Sequence, residues 1–161
     1  MVTDALSSEQ KNLHTAERTY NSVLKKAYTD ITGEKATWAA EAIELYDCVR
    51  IRLRFEAAEG VDTSKLTARA TVGAETMEAY VVQKNGAWYV YVVDLAYAQL
   101  SEKVLVTLYE GDTIISDTIC YSVESYVATT DLAANAKIGA LLKAMMCYGD
   151  SAKAYFDTKN A

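Results

Sequence analysis

Residues 121–156 read YSVESYVATTDLAANAKIGALLKAMMCYGDSAKAYF, and within them the chain changes its hydrophobic period. Upstream, apolar residues mostly alternate with polar ones, as in strands. Downstream, Ile138, Leu141, Leu142, Met145, Tyr148, Gly149, Ala152, Tyr155 and Phe156 recur at the intervals of a helix face. A helix with that stripe needs an apolar surface to cover, and the strands are the only large one in the chain. The spacing predicts a helix over 136–156 packed on the strands through Leu141, Leu142, Met145 and Phe156. Gly149, a poor helix former, implies close approach to a neighbour. Ser122 is placed to cap a short helix beginning at Val123, and Asp131 to cap or precede the long one.

Working back from that stretch, the clearest strand is CVRIRLRFE. Val49, Ile51, Leu53 and Phe55 point one way; Arg50, Arg52, Arg54 and Glu56 point the other. That is a strand with one buried and one solvated face. The arginine row reads first as a solvated face and second as an anion-binding stripe. Leu66, Ala68, Ala70 and Val72 alternate in the same way up to Gly73. Asn85-Gly86 sits between two β-rich runs, TMEAYVVQ and WYVYVVDL, and tolerates the positive φ angles of a tight hairpin. Glu110-Gly111-Asp112 separates KVLVTLYE from TIISDTICY in the same manner. The run ATWAAEAIEL at 36–45 is ambiguous: its alanines and glutamates favour helix, while Ile43 and Leu45 alternate around Glu44.

Six to seven strands joined by tight turns, without βαβ alternation, predict a mainly β protein with helices. The architecture expected is an antiparallel, Ig-like β-sandwich followed by a C-terminal helical segment packed on it. Ser7 and Gln10 have capping-box spacing, and Leu13, Ala16, Tyr20, Val23, Leu24 and Ala27 follow at helical intervals, so a short N-terminal helix is expected from about Ser8. The organisation is then a helical or linker segment at 1–35, a sandwich at 36–121 and helices at 122–161 completing the same domain.

The chain has 161 residues, 51% of them hydrophobic, with net charge −6 and no proline. Acidity argues against a sequence-independent grip on nucleic acid phosphates. No apolar run approaches the ~18 residues that would suggest a membrane-spanning helix. MVTDALSSEQ has neither the basic nor the apolar region of a signal peptide. Cys48, Cys120 and Cys147 form no metal or redox spacing and read as free, buried thiols.

Chemistry-bearing motifs are sparse. His14 is the single histidine and stands in no nucleophile motif. Glu110 with Asp112, or Asp112 with Asp117, are turn carboxylates too few for calcium, and no catalytic, cofactor or metal residues are assigned. Twelve tyrosines and two tryptophans are more suggestive. Tyr89 and Tyr91 share one face of their strand, while Trp88, Val90 and Val92 share the other. The C-terminal helices are expected to cover the face the core does not use; otherwise Trp38, Trp88 or Tyr91 would offer a platform for a sugar ring or a protein.

The order of V-R-I-R-L-R-F at 49–55, the Asn85-Gly86 hairpin, the Leu100–Tyr109 strand LSEKVLVTLY, Tyr121-Ser122-Val123 and Leu142 through Tyr148-Gly149 to Phe156 resembles an accessory module. That module recurs in very large secreted and cell-surface proteins of gut-dwelling Gram-positive anaerobes. The likeness covers about Trp38 to Phe156, with an echo at Thr3–Leu6; Cys120 and Cys147 depart from it, where polar residues are more usual. It implies an extracellular or surface location, with a signal peptide encoded upstream, and a non-catalytic role beside neighbouring domains. It implies no cofactor and carries over no functional residues. A glycan-binding module using exposed aromatics is the alternative.

Overall fold

The computed structural model describes residues 35–45, 48–129 and 136–160. The expected N-terminal helix, His14 and Asp131 lie outside the described residues. The described strands are β1 (Ala36–Leu45), β2 (Val49–Ala57), β3 (Leu66–Val72), β4 (Glu75–Met77), β5 (Ala79–Lys84), β6 (Ala87–Leu95), β7 (Val104–Glu110), β8 (Thr113–Ile114) and β9 (Ile119–Tyr121). Helices α1 (Val123–Thr129) and α2 (Ala136–Lys159) follow. One antiparallel sheet runs β1-β2-β6-β5; the other runs β4-β3-β7, with β8 and β9 sharing the far side of β7. Reading strands in sequence, this is the ABED/C′CFG arrangement of an Ig-like sandwich.

Nine strands appear where six to seven were expected because two of the sequence runs break. TMEAYVVQ divides at Glu78, so that β4 pairs with β3 in one sheet and β5 with β6 in the other. TIISDTICY divides at 115–118. There Ile115 turns into the core at 2% exposure, and the Ser116 hydroxyl accepts the Leu108 N–H at 3.0 Å in place of a backbone carbonyl. The same break joins the two sheets. The Ile115 carbonyl accepts the N–H groups of Lys35 and Ala36, at 3.1 and 2.8 Å, and the Asp117 carbonyl accepts the Trp38 indole N–H at 2.8 Å. The ambiguous run 36–45 is a strand throughout: pairing with β2 along its whole length outweighs the helix preference of its alanines.

Alternation in β2 is borne out. Ile51, Leu53 and Phe55 are at most 1% exposed, and they face Val90 and Val92 of β6. Across the core lie Ala70, Val72, Val104, Val106 and Leu108 of the second sheet. Asn85 and Gly86 take φ of 52° and 78° between paired Lys84 and Ala87, the two-residue hairpin that Asn-Gly predicts. A second irregularity was not legible: the β2–β6 register shifts between Val49 and Ile51, and Asp94 adopts φ 58°. Beside this bulge the adjacent residues Val92 and Val93 are both buried.

α2 corrects the expected packing face. Leu142 and Met146 are buried at 1% and 4% and Met145 is half-buried, but Leu141 and Phe156 are 50% and 55% exposed. Adjacent helical residues point about 100° apart, and here Leu142 turns inward while Leu141 turns towards solvent. The inward stripe is Gly139, Leu142, Met146 and Gly149, and burial of both glycines is consistent with a close approach. The helix lies across one end of the sandwich rather than over a sheet face. It packs on the turn Tyr97–Gln99 between β6 and β7. Asp150 accepts from the Ser101 hydroxyl at 3.2 Å, and Lys153 meets Glu102 at 3.4 Å. α1 starts as expected, with the Ser122 hydroxyl accepting the Ser125 N–H at 3.0 Å. Val123 and Val127 join the same core as Leu142 and Met146. Among the described residues no helix is long and apolar enough to cross a membrane.

Candidate functional site: the outer arginine–tyrosine face

Because the inner face of β2 is the core, Arg50, Arg52 and Arg54 stand on its outer face. Register then decides their company. Arg52 lies opposite Tyr91 and Arg54 opposite Tyr89 on β6; on β1 they face Ala42 and Ala40. Tyr80 of β5 lies opposite Tyr91, with the two rings stacked at 5.8 Å, and Tyr89 is 6.3 Å from Tyr91. Guanidinium groups roof these rings: Arg50 sits 5.4 Å from the centre of Tyr91, and Arg52 sits 5.5 Å from that of Tyr89. Neither described helix covers this face, contrary to expectation. The guanidinium groups of Arg50 and Arg52 lie over the Tyr91 and Tyr89 rings instead.

Charge on this face is uneven. One carboxylate, Glu44, serves two arginines: Oε1 is 2.7 Å from Arg52 Nη1 and Oε2 is 3.2 Å from Arg50 Nε. Glu44 is the less exposed partner in both pairs, and of the two the Arg52 contact is a direct hydrogen bond. Arg54 is held differently. It reaches Glu56 at 3.7 Å, beyond direct hydrogen-bond length, and the Glu56 side chain is 70% exposed. Between Arg52, Arg54 and β1 lies a depression of about 230 Å³ lined by Ala40, Glu41, Ala42, Arg52, Arg54 and Tyr89. The two alanines make it, since any longer side chain there would fill it.

The sequence-predicted aromatics do not form one platform. Trp38 packs edge-on to Phe55 at 6.0 Å and 73°, with its indole N–H bonded to Asp117. Trp88 stacks on the other side of Phe55 at 6.3 Å. Both are partly buried against the core. Tyr91 is on the opposite face of the sheet and only 7% exposed. Sequence reasoning missed Arg54, Tyr89, Ala40 and Ala42 as a group. Alternation of β2 and β6 places the first two; the alanines join them only once 36–45 is known to be a strand.

A second cavity, of about 510 Å³, opens at the α2 end between Gly73, Glu75, Gln99, Glu102, Lys153 and Phe156. Its polar groups engage each other: Gln99 donates to Glu75 at 2.9 Å, and Lys153 bridges Glu102 and Asp157. Of the turn carboxylates considered for calcium, Glu110 is likewise engaged. Glu110 accepts the Asp62 N–H at 2.7 Å and the Lys35 ammonium at 3.0 Å, and these two bonds, in that order, hold its carboxyl below the usual glutamate range. No cluster of three or more metal-ligating side chains occurs among the described residues. Of the cysteines, Cys120 is buried and Cys48 half-buried, but Cys147 is exposed on α2, which corrects the expectation of three buried thiols. No protein-family model, curated protein or solved structure matches this chain.

Proposed function

We propose that the chain is a non-catalytic accessory module of a larger secreted or cell-surface bacterial protein, holding neighbouring domains apart and presenting them. The observation that carries this reading is the placement of its two ends of structure. β1 is entered at the end of the sandwich where Lys35 is tied to Ile115 and Glu110. α2 lies across the opposite end, where β6 passes to β7. A ten-residue strand separates these ends, roughly 30 Å at the usual rise. Described residues that enter at one end of the sandwich and leave at the other suit spacing.

Paired fluorophores at Lys35→Cys and Asn160→Cys, in a chain with the three native cysteines replaced, test this. A single narrow distance of about 30 Å or more, set by the strand rise, is expected. A short or broad distribution overturns the spacer. A second reading, a glycan-binding module, is favoured by the outer depression, where the Tyr89 ring and two alanine methyls meet two guanidinium groups. That relocates the candidate platform from Trp38, Trp88 and Tyr91 to Tyr89. Polysaccharide titration of the chain and of its Tyr89→Ala variant decides it: saturable binding lost in the variant supports glycan recognition, and no binding rejects it.

A further inference from the structure

Independently of the glycan reading, we infer that α2 pairs with α2 of a second copy of this chain, antiparallel and about a two-fold axis at the middle of the helix. Five of the six large apolar residues exposed among the described residues lie on this one helix: Ile138, Leu141, Tyr148, Tyr155 and Phe156, at 41–63%. So concentrated a set marks a contact surface. The spacing says what shape it fits. Ile138, Leu141, Met145, Tyr148, Ala152 and Tyr155 follow one another at steps of three and four, the a and d positions of three heptads. The stripe that packs inward, Gly139, Leu142, Met146 and Gly149, lies on another side. Counted along the helix, the two stripes diverge by roughly 110°, so the outer one looks past the end of the sandwich. α2 therefore carries a core seam and a coiled-coil seam, with half-buried Met145 between them.

The order of side-chain sizes selects the occupant. Laid antiparallel on itself, the seam sets Ile138 against the partner's Tyr155, Leu141 against the partner's Ala152 and Met145 against the partner's Tyr148, each layer occurring twice. Every layer joins a larger side chain to a smaller one, the self-complementarity that an isologous interface requires. A parallel pair would instead stack tyrosine on tyrosine and alanine on alanine, with both helix dipoles aligned. In the antiparallel pair Lys137 stands by the carboxyl end of the partner helix, where a cation is favoured. Ala144 and Ser151, beside the seam on the side away from the sandwich, are small enough for close approach. The area agrees. At about half exposure the five side chains offer on the order of 500 Å² per copy. Pairing then removes roughly 1,000 Å² in all, the lower bound of a specific interface and the size of a reversible one.

Sedimentation velocity of the full chain over a series of concentrations tests this, in reducing buffer so that no disulfide through exposed Cys147 joins two copies. A monomer–dimer equilibrium in the micromolar range is expected. Leu141→Asp places a carboxylate in two of the apolar layers and should weaken the dimer at least about tenfold. Adding Ala152→Lys to that variant sets opposite charges against each other in both layers of an antiparallel pair, and the dimer should return. Within one copy the two positions stand about 16 Å apart along the helix and cannot pair. Thermal melts show whether each variant is folded. If Leu141→Asp is not, Tyr155→Ser carries the test, since Phe156 and Lys159, which flank that ring, belong to α2 itself. A chain that stays monomeric at every concentration overturns the pairing, including the case in which Leu141→Asp lowers the melting temperature because another segment of the same chain covers the seam. A dimer indifferent to Leu141→Asp lies elsewhere and overturns it as well. Loss in the single variant without return in the double one overturns the antiparallel register, and assemblies that grow without limit overturn the closed two-fold pair.

Discussion

The inner face of β2 and β6 and the surface of α2 treat apolar residues in opposite ways. On the strands, Ile51, Leu53, Phe55, Val90 and Val92 are at most 1% exposed, with each inward position used. On the helix, Leu142 and Met146 are buried while Ile138, Leu141, Tyr148, Tyr155 and Phe156 are 41–63% exposed. The difference is one of geometry. A strand has two faces, so one apolar set names the buried face without ambiguity. α2 carries apolar residues over an arc wider than the end of the sandwich can cover, and tertiary contact selects one part of that arc.

The largest effect should come from the strand side. Phe55→Ala removes the ring between Trp38 and Trp88 and should lower stability by about 3–5 kcal/mol in chemical denaturation. A loss below about 1 kcal/mol would mean that the aromatic row is not packed as described. On the helix, two adjacent leucines should separate. Leu142→Ala should cost about 2–5 kcal/mol and Leu141→Ala within about 0.5 kcal/mol. Equal effects, measured by the same denaturant midpoint, would show that α2 packs in another rotation.

A backbone test comes next. Gly86→Val forces a β-branched residue to φ 78° and should destabilise by about 1–3 kcal/mol, as read from the melting temperature. No change there would mean that the hairpin has another register. The smallest effect concerns the end of the sandwich where β1 enters. Glu110 has a folded pKa below its ordinary value, through the Asp62 N–H first and Lys35 second. Its contribution is therefore complete above the unfolded pKa and fades as pH falls towards the folded one. Glu110→Gln should be slightly less stable than the native chain at neutral pH, and the two curves should converge in acid. A gap that widens on acidification would refute the assignment.

The candidate site divides along the same line. Alternation in CVRIRLRFE and WYVYVVDL put the arginines and Tyr89 on faces opposite the core, and Asn85-Gly86 set the register of β5 on β6. Glu44 between Arg50 and Arg52 is a different matter, because it depends on β1 being a strand. Trp38 and Trp88 looked like platform residues in sequence because an aromatic in a strand can be core or surface. Only the packing of both against Phe55, Trp38 edge-on and Trp88 stacked, assigns them to the core side.

By itself the sequence determined the sandwich, the inward residues of β2, both glycine turns and the Ser122 cap, since each follows from local period or backbone sterics. Tertiary structure alone decided the break at 115–118, the bulge at Asp94, the strand at 36–45 and the rotation of α2. All four depend on which surface another segment offers, and no window of neighbouring residues contains that information. At Ile115 the chain turns inward because the start of β1 arrives there to take its carbonyl, from a position some eighty residues earlier in the chain.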